Sequence, residues 1–256
     1  MQKASDITIR QEVSRCLLCY DAPCSKACPA QNRPDKFIRS LFFQNVAGAA
    51  RSVLANNILA ESCAESCKDS AYCQNACIRK RIDKAVDIPL LQKHLAGYAK
   101  KHHCLPQCVP SCGKAVVILG AGPAGMTAAA ELVKQGVKVT MYIDGPHKSP
   151  QNLEIESMRR IEQHTIESEL SLIKEMGILV KLLPTKQMDL NYAEFDAGII
   201  SSKRYVKWLQ PYGLEKMRVF VTGELLSDAG GEVFAVKKGK EIAAQVKRFL
   251  MREEKI

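Results

Sequence analysis

The chain has 256 residues, 46% of them hydrophobic, which is enough for one large or two ordinary domains and excludes a disordered or low-complexity protein. A formal charge of +10 raises the question of nucleic acid, but there is one Trp and no basic stripe interleaved with aromatics; Arg79-Lys80-Arg81, the one dense basic run, reads as a solvated face, and no nucleic-acid partner is expected. The opening "MQKASDITIRQEV" lacks an apolar signal core and no later segment approaches the ~18 apolar residues of a membrane span, so a soluble cytoplasmic protein is expected.

All eleven cysteines fall between Cys16 and Cys112. In a cytosolic chain thiols stay reduced, so metal ligands or redox groups are a better reading than disulfides. Basic side chains near them would balance the negative charge of thiolate-bound clusters. The first group, "CLLCYDAPCSKACP", is C-x2-C-x4-C-x3-C-P, formed by Cys16, Cys19, Cys24 and Cys28. Structural zinc sites usually pair two C-x2-C-like knuckles, and only Cys16 and Cys19 make one. A Cys-Pro after closely spaced cysteines is instead the pattern of bacterial ferredoxins, in which the fourth Cys serves a second cluster.

Helical spacing follows in Phe37, Ile38, Leu41 and Phe42, then in Val46, Ala49, Ala50, Val53 and Leu54, with Asn45 as the cap of the second helix. The second cysteine group is Cys63, Cys67, Cys73 and Cys77, spaced C-x3-C-x5-C-x3-C. A third helix is read over 88–99, with Leu91, Leu95 and Tyr98 on one face. Next, "HHCLPQCVPSCG" places Cys104, Cys108 and Cys112 in a segment where Pro106 and Pro110 forbid a regular helix. With His102 or His103 these three could hold zinc or a third cluster, or they are free linker thiols.

From Lys114 the rhythm becomes strand ("AVVIL"), glycine-rich turn ("GAGPAG"), helix closed by Gly136, and strand ("VKVTMY"). This is the opening of a βαβ unit that binds a dinucleotide. Gly120, Ala121, Gly122, Pro123, Ala124 and Gly125 form the candidate cradle, with the pyrophosphate at the helix N-terminus. The acid that usually ends the second strand and bonds a ribose hydroxyl is expected where Ile143 stands, and Asp144 comes one residue later. A helix over about 158–176, the strands "ILVKLL", "AGII" and "RVFVTG", and a last helix from about Lys240 to Met251 complete the pattern.

The segments "RCLLCYDAPCSKACPAQNRPDKFIRS", "CAESCKDSAYCQNAC" and "VDIPLLQKHL" together resemble the N-terminal cluster domain of the dihydropyrimidine dehydrogenases and their relatives, including the glutamate synthase small subunit. The resemblance implies two [4Fe-4S] clusters: one on Cys16, Cys19, Cys24 and Gln92, the other on Cys28, Cys67, Cys73 and Cys77. Cys63 matches a family cysteine that is not a ligand. By itself, Gln92 reads as a surface or capping amide. "VFVTGELLSDAGGEVFAVKKGKEIAAQV" resembles the family's second FAD-contacting segment, with Gly223-Glu224 where the family has Gly-Asp. The family also inserts a second nucleotide domain for NAD(P)H between the two FAD-contacting parts; here only about twenty residues separate "AGIISS" from "RVFVTG", too few for a domain.

The expected fold is thus an α-helical two-cluster iron-sulfur domain, residues 1–113, followed by an α/β Rossmann-like, FAD-type domain of reduced size, residues 114–256. The expected function is an electron-transfer subunit of an oxidoreductase complex, with catalysis in a catalytic or NAD(P)H-oxidising partner subunit. A stand-alone flavin-dependent reductase and a non-redox zinc-bearing scaffold are the alternatives. No hydrolytic constellation stands out.

Overall fold

The structure is a computed structural model and describes residues 6–67, 72–143, 161–183, 192–201, 205, 218–222 and 231–252. Its backbone divides into two compact units, Met1–Pro106 with Arg160–Ser168, and Gln107–Arg159 with Glu169–Ile256.

The first unit is helical. Helix α1 covers Asp6–Ser14, α2 Pro23–Ala27, α3 Pro34–Phe42, α4 Val46–Asn56, α5 Ala60–Ser66, α6 Tyr72–Asn75 and α7 Ile88–Lys101. Helices α3, α4 and α7 are those read from periodicity. Proline in the first turn starts α3, the Asn45 side chain caps α4 by accepting from Gly48 N at 2.8 Å, and Asp87 caps α7 by accepting from Leu90 N at 3.1 Å. Phe37, Ile38, Leu54, Leu59, Leu91 and Leu95 form the dry centre, where α3 packs on α4 and both α4 and α5 pack on α7. Helices α2, α5 and α6 run four to seven residues, too short to show a period in sequence.

A polar clamp ties α1 to the start of α7. The Glu12 carboxylate accepts from Arg15 at 2.9 and 2.8 Å and from the Asp87 backbone N–H at 2.8 Å. Its side chain is only 11% exposed, so removing it strands a guanidinium and an amide in a drier setting than water.

The second unit is a parallel α/β layer: β1 Ala115–Leu119, α8 Pro123–Lys134, β2 Lys138–Ile143, the later part of α9 Gln163–Glu175 (its residues up to Ser168 belong to the first unit), β3 Leu179–Leu182, β4 Ala197–Ile200, β5 Arg218–Val221 and α10 Gly231–Arg252. The strand order is β3-β2-β1-β4-β5, with every pair parallel. Strands β1 and β4 are continuous apolar runs because both their faces are covered. Helix α10 begins at Gly231 rather than near Lys240, and its extra turns pack on α8. Among the described residues no helix is long and apolar enough to cross a membrane.

Glu12→Ala is expected to destabilise the protein by about 2 kcal/mol, read as a lower urea midpoint with an unchanged slope. A loss under about 0.5 kcal/mol, typical of surface positions, would show that the clamp does not hold α1.

Candidate iron-sulfur and dinucleotide sites

The cysteines of the two groups are brought together in the first unit. Cys16, Cys19, Cys24 and Cys77 line one partly open cavity, together with Asp35, Ile38, Arg39 and Arg79. Cys28 and Cys67 act on the Cys73 thiol, and Cys24 acts on it more weakly.

Cys77 lines the same cavity as Cys16, Cys19 and Cys24, and Gln92 is not among its lining residues. Cys28 closes α2 with φ −73° and ψ 116°, and Cys77 precedes the 3-10 turn Ile78–Arg81 with φ −68° and ψ 122°. Helix α2, which carries Cys24, packs directly on α6, which carries Cys73.

Gln92 is buried at 6% exposure rather than lying on the surface. Its Nε2 donates to Ala60 O at 2.7 Å, and its Oε1 accepts from Asn32 Nδ2 at 3.1 Å. Asn32 follows Cys28 by one turn of chain, and Ala60 opens the helix that leads to Cys67. The amide is thus held between these two segments, with one lone pair of Oε1 left for a ligand.

A second clamp holds the thiol-lined cavity. Asp83 accepts from Arg79 at 2.8 and 2.9 Å and from Arg15 at 3.1 Å, and Arg79 donates to Arg15 O at 3.4 Å. Arg15 precedes Cys16 and Arg79 follows Cys77 by two residues, so the clamp fixes two cysteines 61 positions apart. The Asp83 carboxyl is held well below the usual range by Arg79 first and by Arg15 after it. At the cavity floor, Ser25 and Asp35 bond reciprocally, Ser25 Oγ donating to Asp35 Oδ1 and Asp35 N donating to Ser25 Oγ at 3.2 Å.

Burial, reinforced by neighbouring thiols, pushes Cys24 to about 11 and Cys73 to about 12, and raises Cys16. Cys67 goes the other way, lowered by a hydrogen bond from the Cys63 thiol. A metal group entering here displaces protons. One zinc ion would draw four sulfurs to within about 4 Å of each other, and among the described residues no three His, Cys, Asp or Glu side chains converge on a single ion. Sulfurs spread around a cavity fit a cluster that fills the space between them, and Arg39, which counters charge on Cys16, offsets its negative charge.

Of the third cysteine group, Cys104 is buried in the first unit, and Cys108 and Cys112 belong to the second, where Val109 N bonds Lys134 O at 3.1 Å and Cys112 N bonds Gly136 O at 2.9 Å.

In the second unit the glycine-rich turn leaves β1 at the switch point between β1 and β4, where open parallel sheets bind ligands. Gly120 has φ +104°, and a side chain there would run into Ser201 and Tyr205; a Cβ on Gly125 would meet Gly120 O at 2.7 Å. Gly122, the N-cap of α8, has φ −67° and ψ 165°, which any residue adopts. Its bare Cα is thus not a conformational need, in keeping with backbone approach to a pyrophosphate. Ile143 is buried and offers no acceptor for a ribose. Asp144, Gly223 and Glu224 lie outside the described residues.

The thiol-rich helical unit is similar to a 4Fe-4S domain, and the parallel sheet with its glycine-rich turn to a flavin-type redox domain. Residues 1–104 match the family described as dihydropyrimidine dehydrogenase domain II, 4Fe-4S cluster, and residues 114–202 match the pyridine nucleotide-disulphide oxidoreductase family. The chain is homologous to the NAD-dependent dihydropyrimidine dehydrogenase subunit PreT. It is 39% identical to that of Escherichia coli K12 over 173 residues, 67% of this chain and 42% of the relative. It is 40% identical to that of Salmonella typhimurium LT2 over 172 residues, again 67% and 42%. The chain thus spans about two fifths of the length of these relatives.

Asp83→Ala should release the Cys16–Cys77 clamp and speed chelator-driven iron loss several-fold at neutral pH. In the unsubstituted chain the depressed carboxyl keeps its stabilising contribution above the ordinary value of 3.8, losing it only as pH falls below that. Lowering the pH from about 8 to about 5 should therefore not reproduce the effect of the substitution; a matching rise in iron loss over that range would contradict the assignment.

Proposed function

We propose that this chain is an electron-transfer subunit carrying two [4Fe-4S] clusters and FAD, working with a partner oxidoreductase subunit that holds the catalytic site. The observation that carries the proposal is the gathering of both cysteine groups where α2 packs on α6. It supports a first cluster on Cys16, Cys19, Cys24 and Cys77 and an adjoining second cluster on Cys28, Cys67, Cys73 and Gln92. The helical domain would occupy residues 1–113 and the FAD-type domain 114–256.

When bound, a flavin exchanges electron pairs with a nicotinamide or substrate and single electrons with a cluster. The chain's own residues do the rest. The cradle Gly120, Ala121, Gly122, Pro123, Ala124 and Gly125 brings backbone N–H groups and the N-terminal end of α8 to the pyrophosphate. Asp144 is the candidate acceptor for the ribose, and Gly223 and Glu224 are candidates for the ribityl chain. Arg39 and Arg79 offset the charge of the first cluster, and Ile38, Val86 and Ile88 keep its inner wall apolar.

The names of the relatives extend the proposal to the class of reaction: NAD-linked interconversion of a pyrimidine and its dihydro form, completed in the partner subunit. Eleven cysteines in their reduced form suit a reducing cytoplasm.

Anaerobic purification of the chain should yield about eight irons with matching labile sulfide, and one flavin. Zinc without labile sulfide would overturn the reading in favour of a scaffold. In the same preparations Cys24→Ala and Cys77→Ala should each abolish one and the same cluster signal by electron paramagnetic resonance, and Cys28→Ala and Cys73→Ala the other. Loss of one signal in both Cys73→Ala and Cys77→Ala would refute the division.

A further inference from the structure

The two proposed ligand sets leave one buried cysteine between them without a task. Cys63 sits in the body of α5 at 2% exposure, one turn before Cys67. Cys67 N donates to Cys63 O at 3.2 Å, and Ser66 Oγ donates to the same carbonyl at 3.2 Å. That turn stacks the two side chains on one face, with the Cys63 thiol beside the Cys67 sulfur. Cys63 thus adjoins the proposed second set through Cys67.

We propose that Cys63 is a positioning residue: its S–H bond to the Cys67 sulfur holds that ligand in place and raises the reduction potential of the second cluster. The proposal rests on the two-cluster reading above. The physical cause is charge. Adding an electron to a thiolate-bound cluster is opposed by the negative charge already on its sulfurs, and a donor aimed at one of them lessens that opposition. Because Cys63 is buried, the bond is not exchanged for one to water and acts in a low dielectric. An electron shared between the adjoining clusters is thereby biased toward the second.

The test uses the full chain, purified anaerobically, with Cys63→Ala and Cys63→Ser. Iron and labile sulfide are measured first, then each cluster signal is titrated against potential by electron paramagnetic resonance. Both variants should retain the iron of the unsubstituted chain. In Cys63→Ala the midpoint of the signal that Cys28→Ala abolishes should move to lower potential, while the other stays in place. Cys63→Ser, whose hydroxyl still donates, should move it less. Intact clusters with an unmoved midpoint would overturn the proposal. So would loss of about half the iron in both variants, which would make Cys63 a ligand. Absence of labile sulfide from the unsubstituted chain would overturn the two-cluster reading itself, and is seen before any substitution is compared.

Discussion

The first unit depends on the contact between two one-turn helices. Helices α2 and α6 each carry cysteines at i and i+4, and each passes into extended backbone at the second of them, Cys28 and Cys77. By packing on each other, they bring the two cysteine groups together. Adjacency is what single-electron transfer requires, and this contact between two short helices sets it for the proposed function.

The remaining structure of that unit secures this arrangement from outside. Asp83 joins Arg15 to Arg79 and so fixes Cys16 against Cys77, while the Gln92 amide joins the segment after Cys28 to the helix before Cys67. Helix α7, capped by Asp87 and tied to α1 through Glu12, is the rigid base that presents Gln92. The positive charge of the chain has a local use here, since Arg39 and Arg79 line the thiol cavity. Crowded thiols that resist ionising by themselves become a favourable site when a cationic iron core takes the place of their protons.

Much of this was legible in the sequence, for identifiable reasons. Helices α3, α4 and α7 are long enough to show their period, and Asn45 caps as its position suggests. The run from Ala115 to Ile143 reads as strand, turn, helix and strand because a buried parallel strand and a glycine at φ +104° leave few alternatives. Burial of Gln92 was not legible, because it arises from packing between segments distant in sequence, those of Asn32 and Ala60. The start of α10 at Gly231 was hidden because Gly231 and Gly239 lower the helix propensity of its early turns, while packing of Gly239 against Ala124 and Thr127 of α8 supplies stability instead.

The central claim is the division of ligands between two adjoining clusters. Crystals grown anaerobically and examined at the iron absorption edge would locate each iron and the atom bound to it. The account requires two four-iron peaks, with Cys16, Cys19, Cys24 and Cys77 around one and Cys28, Cys67, Cys73 and the Gln92 oxygen around the other. Gln92 on the first cluster with Cys77 on the second, or a single metal ion in either position, would contradict it.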